Sequence, residues 1–112
     1  MDKVSRYREI VRRELEGYAE WMKQPGEQVR CEVVYDPALD HFQLVCSGWQ
    51  GRRRVHASPF HLDIIDGKVW IQYDGTDRPI ATELERAGIP KEDIVLASTL
   101  PEDRQYTGYG VG

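Results

Sequence analysis

Between Val4 and Met22, apolar residues recur at steps of three and four: Val4, Tyr7, Val11, Leu15, Tyr18 and Met22. That spacing lines up one face of an α-helix and predicts an amphipathic helix over residues 2–22. Asp2 stands in the N-cap position. Glu9 and Arg13 are spaced for an ion pair one turn apart. The stretch "QPGE", from Gln24, ends the helix.

The period then changes from helical to alternating. "VRCEVVYD" (29–36) is rich in β-branched residues and reads as a strand. "PALD" follows as a turn, and "HFQLVCSGW" (41–49) is a second strand. "QG" at 50–51 is a turn, and a third strand runs from about Arg52 to Ile65. Asp66-Gly67 is the strongest hairpin signal, because both positions of the favoured two-residue turn need positive φ. "KVWIQYD" (68–74) is the fourth strand. "DGTDRP" breaks the sheet, and "RPIATELERAG" reads as a short helix. Asp77 is its expected N-cap, Pro79 lies in the first turn and Gly88 past the end. "IPKEDIVLA" reads as one helical turn and then an extended stretch. The tail, "STLPEDRQYTGYGVG", reads as irregular. The expected fold class is α+β: a long N-terminal helix packed on a four-stranded antiparallel β-meander, then a short helix and an irregular C-terminal segment. No linker, repeat or low-complexity segment appears, so residues 1–112 form one expected domain.

Register makes this concrete. A first hairpin centred between Ala38 and Leu39 sets Cys31 opposite Cys46, within bonding reach. A two-residue Asp66-Gly67 loop sets His61 opposite Gln72 and Asp63 opposite Trp70. Phe60, Leu62, Ile64, Val69, Ile71 and Tyr73 then share the inner face. His61, Asp63, Ile65, Trp70 and Gln72 share the outer one.

Composition narrows the function. The 112 residues suit one domain with a real core. The net charge is −4 with signs interspersed, which argues against a free-standing nucleic-acid binder. The charged N-terminus lacks the apolar stretch of a secretory signal. No apolar run approaches the roughly 18 residues of a membrane span. A cytoplasmic location is therefore expected, and with it reduced thiols. Cys31 and Cys46 accordingly read as two small core thiols, with a redox switch as the sharper alternative.

Candidate chemistry is sparse. His61-x-Asp63 puts an imidazole and a carboxylate on one side of a strand. A metal would need a third ligand from His41, His56 or Asp74, and no spacing demands one. A Ser–His–Asp set using Ser47 or Ser58 has no nucleophile-elbow sequence behind it. "DGTD" lacks the spacing of a calcium loop, and "GIPKED" lacks the glycines of a phosphate loop. No cofactor signature appears. "WQGRRR" is the one basic cluster. Strand alternation divides its arginines between two faces, so it reads as a solvated hairpin tip. No catalytic residue and no metal site are assigned. An outward tryptophan among polar groups is interface-like. The candidate partner-binding surface is His61, Asp63, Trp70 and Gln72, with Arg52, Arg53 and Arg54 at its rim.

Several stretches together carry a family resemblance: "YREIVRRELEGYA" from Tyr7, "DHFQLVCSGWQGRRRVH" from Asp40, "FHLDIIDGKVWIQYDGTD" from Phe60, "IATELERAGIPKEDIVLA" from Ile80 and "RQYTGY" from Arg104. They run through nearly the whole chain in order. The chain resembles the XisI family, named for the fdxN-element excision controlling factor of cyanobacteria. "STLPED" and the glycine-rich "TGYGVG" depart from the family's usual Gly-Phe-His-Pro-like stretch and Thr-Glu-Phe-Ala-Val ending. The resemblance implies an α+β domain that helps control excision of a DNA element during cell differentiation. A separate site-specific recombinase does the cutting and rejoining. It also implies a XisH-like, nuclease-fold partner.

The expected function is therefore a non-enzymatic accessory protein acting by protein–protein contact with a XisH-like protein or the recombinase. Direct DNA binding is not expected. The alternative is an antitoxin-like inhibitor that covers a nuclease-fold partner, which the acidic charge suits. A small enzyme or metal-binding protein using His61 and Asp63 ranks below both. A meander leaves an unpaired edge strand, so a homodimer is expected.

Overall fold

The computed structural model describes residues 2–23, 26 and 28–112. Helix α1 spans Lys3–Trp21. Asp2 caps it, accepting from the Ser5 amide at 2.8 Å. Glu9 and Arg13 meet at 3.2 Å. The apolar stripe lies where the spacing predicts it: Tyr7, Val11, Leu15, Tyr18 and Ala19 are buried. Of the expected "QPGE" stop, Gln24, Pro25 and Glu27 lie outside the described residues.

The sheet has five strands rather than four, ordered β1 (Gln28–Asp36), β2 (His41–Gln50), β3 (Arg53–Ile65), β4 (Lys68–Asp74) and β5 (Ile94–Leu96). The first four form the expected antiparallel meander. Strand β5 comes from the extended stretch of "GIPKEDIVLA" and pairs parallel to β4. Its three residues are too few to announce a strand alone; pairing beside β4 makes them one. A 3-10 turn at Lys91–Asp93 precedes it, as the proline-led turn suggested. The tail holds a 3-10 helix at Pro101–Tyr106, and Gly110 bridges to Val95. Among the described residues, no helix is long and apolar enough to cross a membrane.

Phe42, Leu44, Phe60, Leu62, Ile64, Val69 and Ile71 point inward and are buried. They form one core with the α1 stripe and with Ile80, Ala81 and Leu84 of helix α2 (Ile80–Arg86). Tyr18 packs edge-on against Phe60 with centroids 4.5 Å apart. Arg8 of α1 clamps Asp40, in the β1–β2 turn, through Nε at 2.7 Å and Nη2 at 3.0 Å. This guanidinium, with a bond from the Tyr35 hydroxyl, holds the Asp40 carboxyl below its usual range against the opposing effect of burial. Burial would raise Asp93. Hydrogen bonds from Tyr7 and Lys3 outweigh it and hold Asp93 low.

One turn and one close strand contact obey their sequences. Asp66 and Gly67 take φ of 51° and 77°, as the two-residue hairpin requires. Gly48 has φ of 148°, and a Cβ there would lie 1.9 Å from the Gln28 carbonyl oxygen. Only glycine lets β1 approach β2 that closely.

Four expectations change. The β3–β4 register follows the prediction only as far as Leu62↔Ile71; beyond it, His61 pairs with Tyr73, not Gln72. Gln72 is the extra residue of a β-bulge, and a one-residue slip exchanges faces. Tyr73 therefore leaves the inner face and is 55% exposed. Asp74 turns inward instead. It caps α2, its Oδ2 accepting from the Ile80 amide at 2.8 Å, a task expected of Asp77. Finally, Cys31 and Cys46 face each other as predicted but are joined in a disulfide, not held as separate thiols. Both point inward from directly paired positions of β1 and β2, which brings their sulfurs together.

Candidate functional site

The outer face of β2 and β3 carries a square of four polar side chains. His41 and Gln43 alternate onto it from β2, and His61 and Asp63 from β3. His41 lies directly opposite Asp63, and Gln43 opposite His61. That alignment depends on a second bulge. Near the Arg53 end, β2 and β3 pair so that Cys46 meets Ala57; beyond it, Leu44 meets Phe60. The extra residue falls at Ser58-Pro59. Proline cannot donate to the ladder, so a bulge accommodates it. Without the bulge, His41 would face Leu62, and the square would not exist.

The four groups are tied by hydrogen bonds. Asp63 uses both oxygens: Oδ1 lies 2.7 Å from Nδ1 of His41 and Oδ2 lies 3.1 Å from Nε2 of His61. Nε2 of His41 lies 2.8 Å from the Gln43 amide nitrogen. The Ser58 hydroxyl donates to the Gln43 Oε1 at 2.9 Å, closer than its alternative acceptor, the Phe60 carbonyl at 3.3 Å. An amide nitrogen only donates, so His41 Nε2 accepts. In this arrangement Nδ1 of His41 carries the proton that is donated to Asp63. The chain of donation runs Ser58 to Gln43 to His41 to Asp63, and His61 donates to Asp63 from the other side. The two imidazoles stand edge to face, 4.4 Å apart. The side chains of His41, His61 and Asp63 retain 26%, 35% and 17% exposure, so solvent reaches the cluster.

This geometry limits the chemistry. Ser58 reaches an amide oxygen, not an imidazole, so it has no adjacent base to activate it as a nucleophile. Asp63 is the hub of two imidazoles, an arrangement that orients rings. Metal-ligating atoms of His41, His61 and Asp63 all lie within 4.8 Å of one another.

The other candidates are dispersed. Trp70 lies opposite Asp63 on β4, as predicted. The tail partly covers it: the Arg104 guanidinium sits 5.2 Å from its ring centre. Lys68 bonds the Gly112 carbonyl at 3.0 Å beside it. Gln72 occupies the β4 bulge. The arginines are not a rim to this cluster, since Arg54 stands roughly 20 Å from His61 along β3. Arg53 bonds Gln50 at 2.6 Å, and Arg54 lies 5.6 Å from the Trp49 ring centre, on opposite faces of the hairpin. Arg52 sits in the turn. Sequence reasoning named His41 only as one of three optional ligands and missed Gln43 as its partner. The signal available was Pro59, a residue that marks a bulge within an otherwise regular strand.

The XisI family profile, described as "XisI protein", matches residues 1–111. Among solved structures, a XisI-like protein from Anabaena variabilis ATCC 29413 is 40% identical, with a TM-score of 0.86 over 99% of this chain and 100% of that one. The fdxN element excision controlling factor XisI from the same organism is 31% identical, with a TM-score of 0.80 over 99% and 100% of the two chains. No curated protein matches the chain.

Proposed function

The chain belongs to the XisI family, and from that premise we propose that it is a non-enzymatic accessory factor of site-specific DNA excision, working through protein–protein contact. The similar Anabaena protein is an fdxN element excision controlling factor. The observation that carries the reading is the outer face of the sheet. Around the half-exposed His41–Asp63–His61 cluster it presents Ile65, Tyr73 and Val34 at 41%, 55% and 47% exposure. Apolar side chains beside an orienting polar network make a surface suited to a protein partner. The partner of this reading is a XisH-like protein, with the recombinase as a second contact, in the cytoplasm. The net charge of −4 favours a basic partner surface over DNA itself. Among the described residues strand β1 pairs only with β2, and this edge position suits a second copy of the chain.

The test is to mix the purified chain with the XisH-like protein and run size exclusion with light scattering. Co-elution at a defined mass is expected, and Tyr73→Ala should weaken it. Separate elution of the two proteins would sink the partner reading. The acidic charge also favours an antitoxin-like inhibitor. In that case, adding this chain would suppress nuclease activity of the partner.

A further inference from the structure

We propose that His41, His61 and Asp63 form a binding site for a single divalent transition-metal ion of the zinc type. The inference stands apart from the partner reading, since metal binding is read on the isolated chain.

Three observations carry it. The donor set is two imidazoles and one carboxylate, which with an open fourth position is a familiar zinc arrangement. The donors already converge. A tetrahedral zinc ion with bonds of ~2.0–2.1 Å spaces its ligand atoms about 3.3 Å apart. Here the His41–Asp63 and His61–Asp63 pairs lie at 2.7 and 3.1 Å, and all three atoms fall within 4.8 Å. Small side-chain rotations therefore open the cluster around an ion. The donors also sit on two paired strands of a sheet, so the backbone is already in place and the entropy of gathering ligands is low.

The third observation is that the surrounding network can reverse. Metal binding through Nδ1 of His41 moves its proton to Nε2. Nε2–H then needs an acceptor, and a half-turn of the Gln43 amide supplies Oε1. The amide nitrogen now faces the Ser58 hydroxyl, which accepts from it. The Ser58 proton in turn has the Phe60 carbonyl as its acceptor, 3.3 Å away. Each member can both donate and accept, so no buried polar group loses its partner. Gln43 then orients a metal-bound His41, as outer-shell partners of zinc histidines do. At His61, whose side chain is 35% exposed, the proton moves to Nδ1. For neutral imidazoles no net proton is released.

Zinc titration by calorimetry tests this on tag-free, EDTA-stripped protein with the disulfide kept oxidised, so that no thiolate competes. One zinc per chain is expected. His61→Ala and Asp63→Asn should weaken binding by a hundredfold or more, and Gln43→Leu by about tenfold, the scale of an outer-shell loss. His61→Gln, which keeps a donor to Asp63, separates ligand loss from misfolding: it should fold as wild type and still lose zinc. His56→Ala, on the same strand away from the cluster, should bind as wild type. Cobalt in place of zinc should give a d–d absorption that the His41→Ala variant lacks. Wild-type affinity no higher than that of a His41→Ala/His61→Ala double variant would overturn the proposal. So would undiminished binding by Asp63→Asn.

Discussion

Along β3 the inner and outer faces alternate residue by residue, yet they are held by different physics. Phe60, Leu62 and Ile64 are buried on the inner side. Their contribution is area removed from water, about 25 cal/mol per Å². His61 and Asp63 stand between them on the outer side, partly exposed; Asp63 bonds His61 on its own strand and His41 across on β2. Such bonds contribute little net stability, because water offers the same partners in the unfolded chain. What they supply is fixed geometry. The inner face makes the fold, and the outer face is free to carry a function.

The most severe test of that division is on the inner side. Phe60→Ala removes a fully buried ring that packs on Tyr18. It should destabilise by roughly 3–5 kcal/mol, read as a lower urea midpoint. A loss below about 1 kcal/mol would mean that the core does not depend on that ring.

The disulfide comes next. Cys31 and Cys46 are 15 residues apart in sequence, and a loop of that size corresponds to about 3 kcal/mol. Reduction should lower the melting temperature of the wild type and leave a Cys31→Ala/Cys46→Ala variant unmoved. Equal response of the two proteins to reductant would contradict the assigned bond.

Acid should act through the links that pin α1 to the sheet. Asp40 and Asp93 both titrate below the ordinary value of 3.8 in the folded state. The unfolded chain therefore takes up these protons first as pH falls. The stability they provide is present above pH 3.8 and is lost as pH falls through the folded values. At the other extreme, burial and the neighbouring Asp93 push Tyr7 up to about 12. Its contribution is intact below the usual tyrosine value of 10.0 and drains away between there and about 12. Asp40→Asn should flatten the acid limb of a melting-temperature profile, and an unchanged limb would remove the Arg8–Asp40 clamp from the account.

The smallest effect on stability belongs to the outer face. Tyr73→Ala is expected within about 0.5 kcal/mol of wild type, because the ring is largely exposed. If it melts several degrees lower, the two faces are not separable and the contrast between them fails.

Much of this was legible locally. The stripe from Val4 to Met22 needs only the helical repeat, and the Asp2 cap and Glu9–Arg13 pair follow from positions three and four residues apart. The Asp66-Gly67 turn follows from positive φ, and the Cys31–Cys46 pairing from a short symmetric turn. In each case the interacting groups are close along the chain, so little conformational entropy separates sequence from structure. The α+β class and the meander follow from the same local signals.

The rest was settled at a distance. Bulges at Ser58-Pro59 and at Gln72 shift the register by one residue, and a shift of one exchanges faces. The first sets His41 against Asp63 and assembles the cluster. The second expels Tyr73 to the outside and turns Asp74 inward to cap α2. Strand β5 exists because β4 offers an edge to it, and Trp70 is half covered because the tail folds back over it. The chain alone specified which residues alternate and where they turn. Which alternating residues meet was decided by packing whole strands against α1 and α2, since a register is chosen by the burial of an entire face rather than by any one pair.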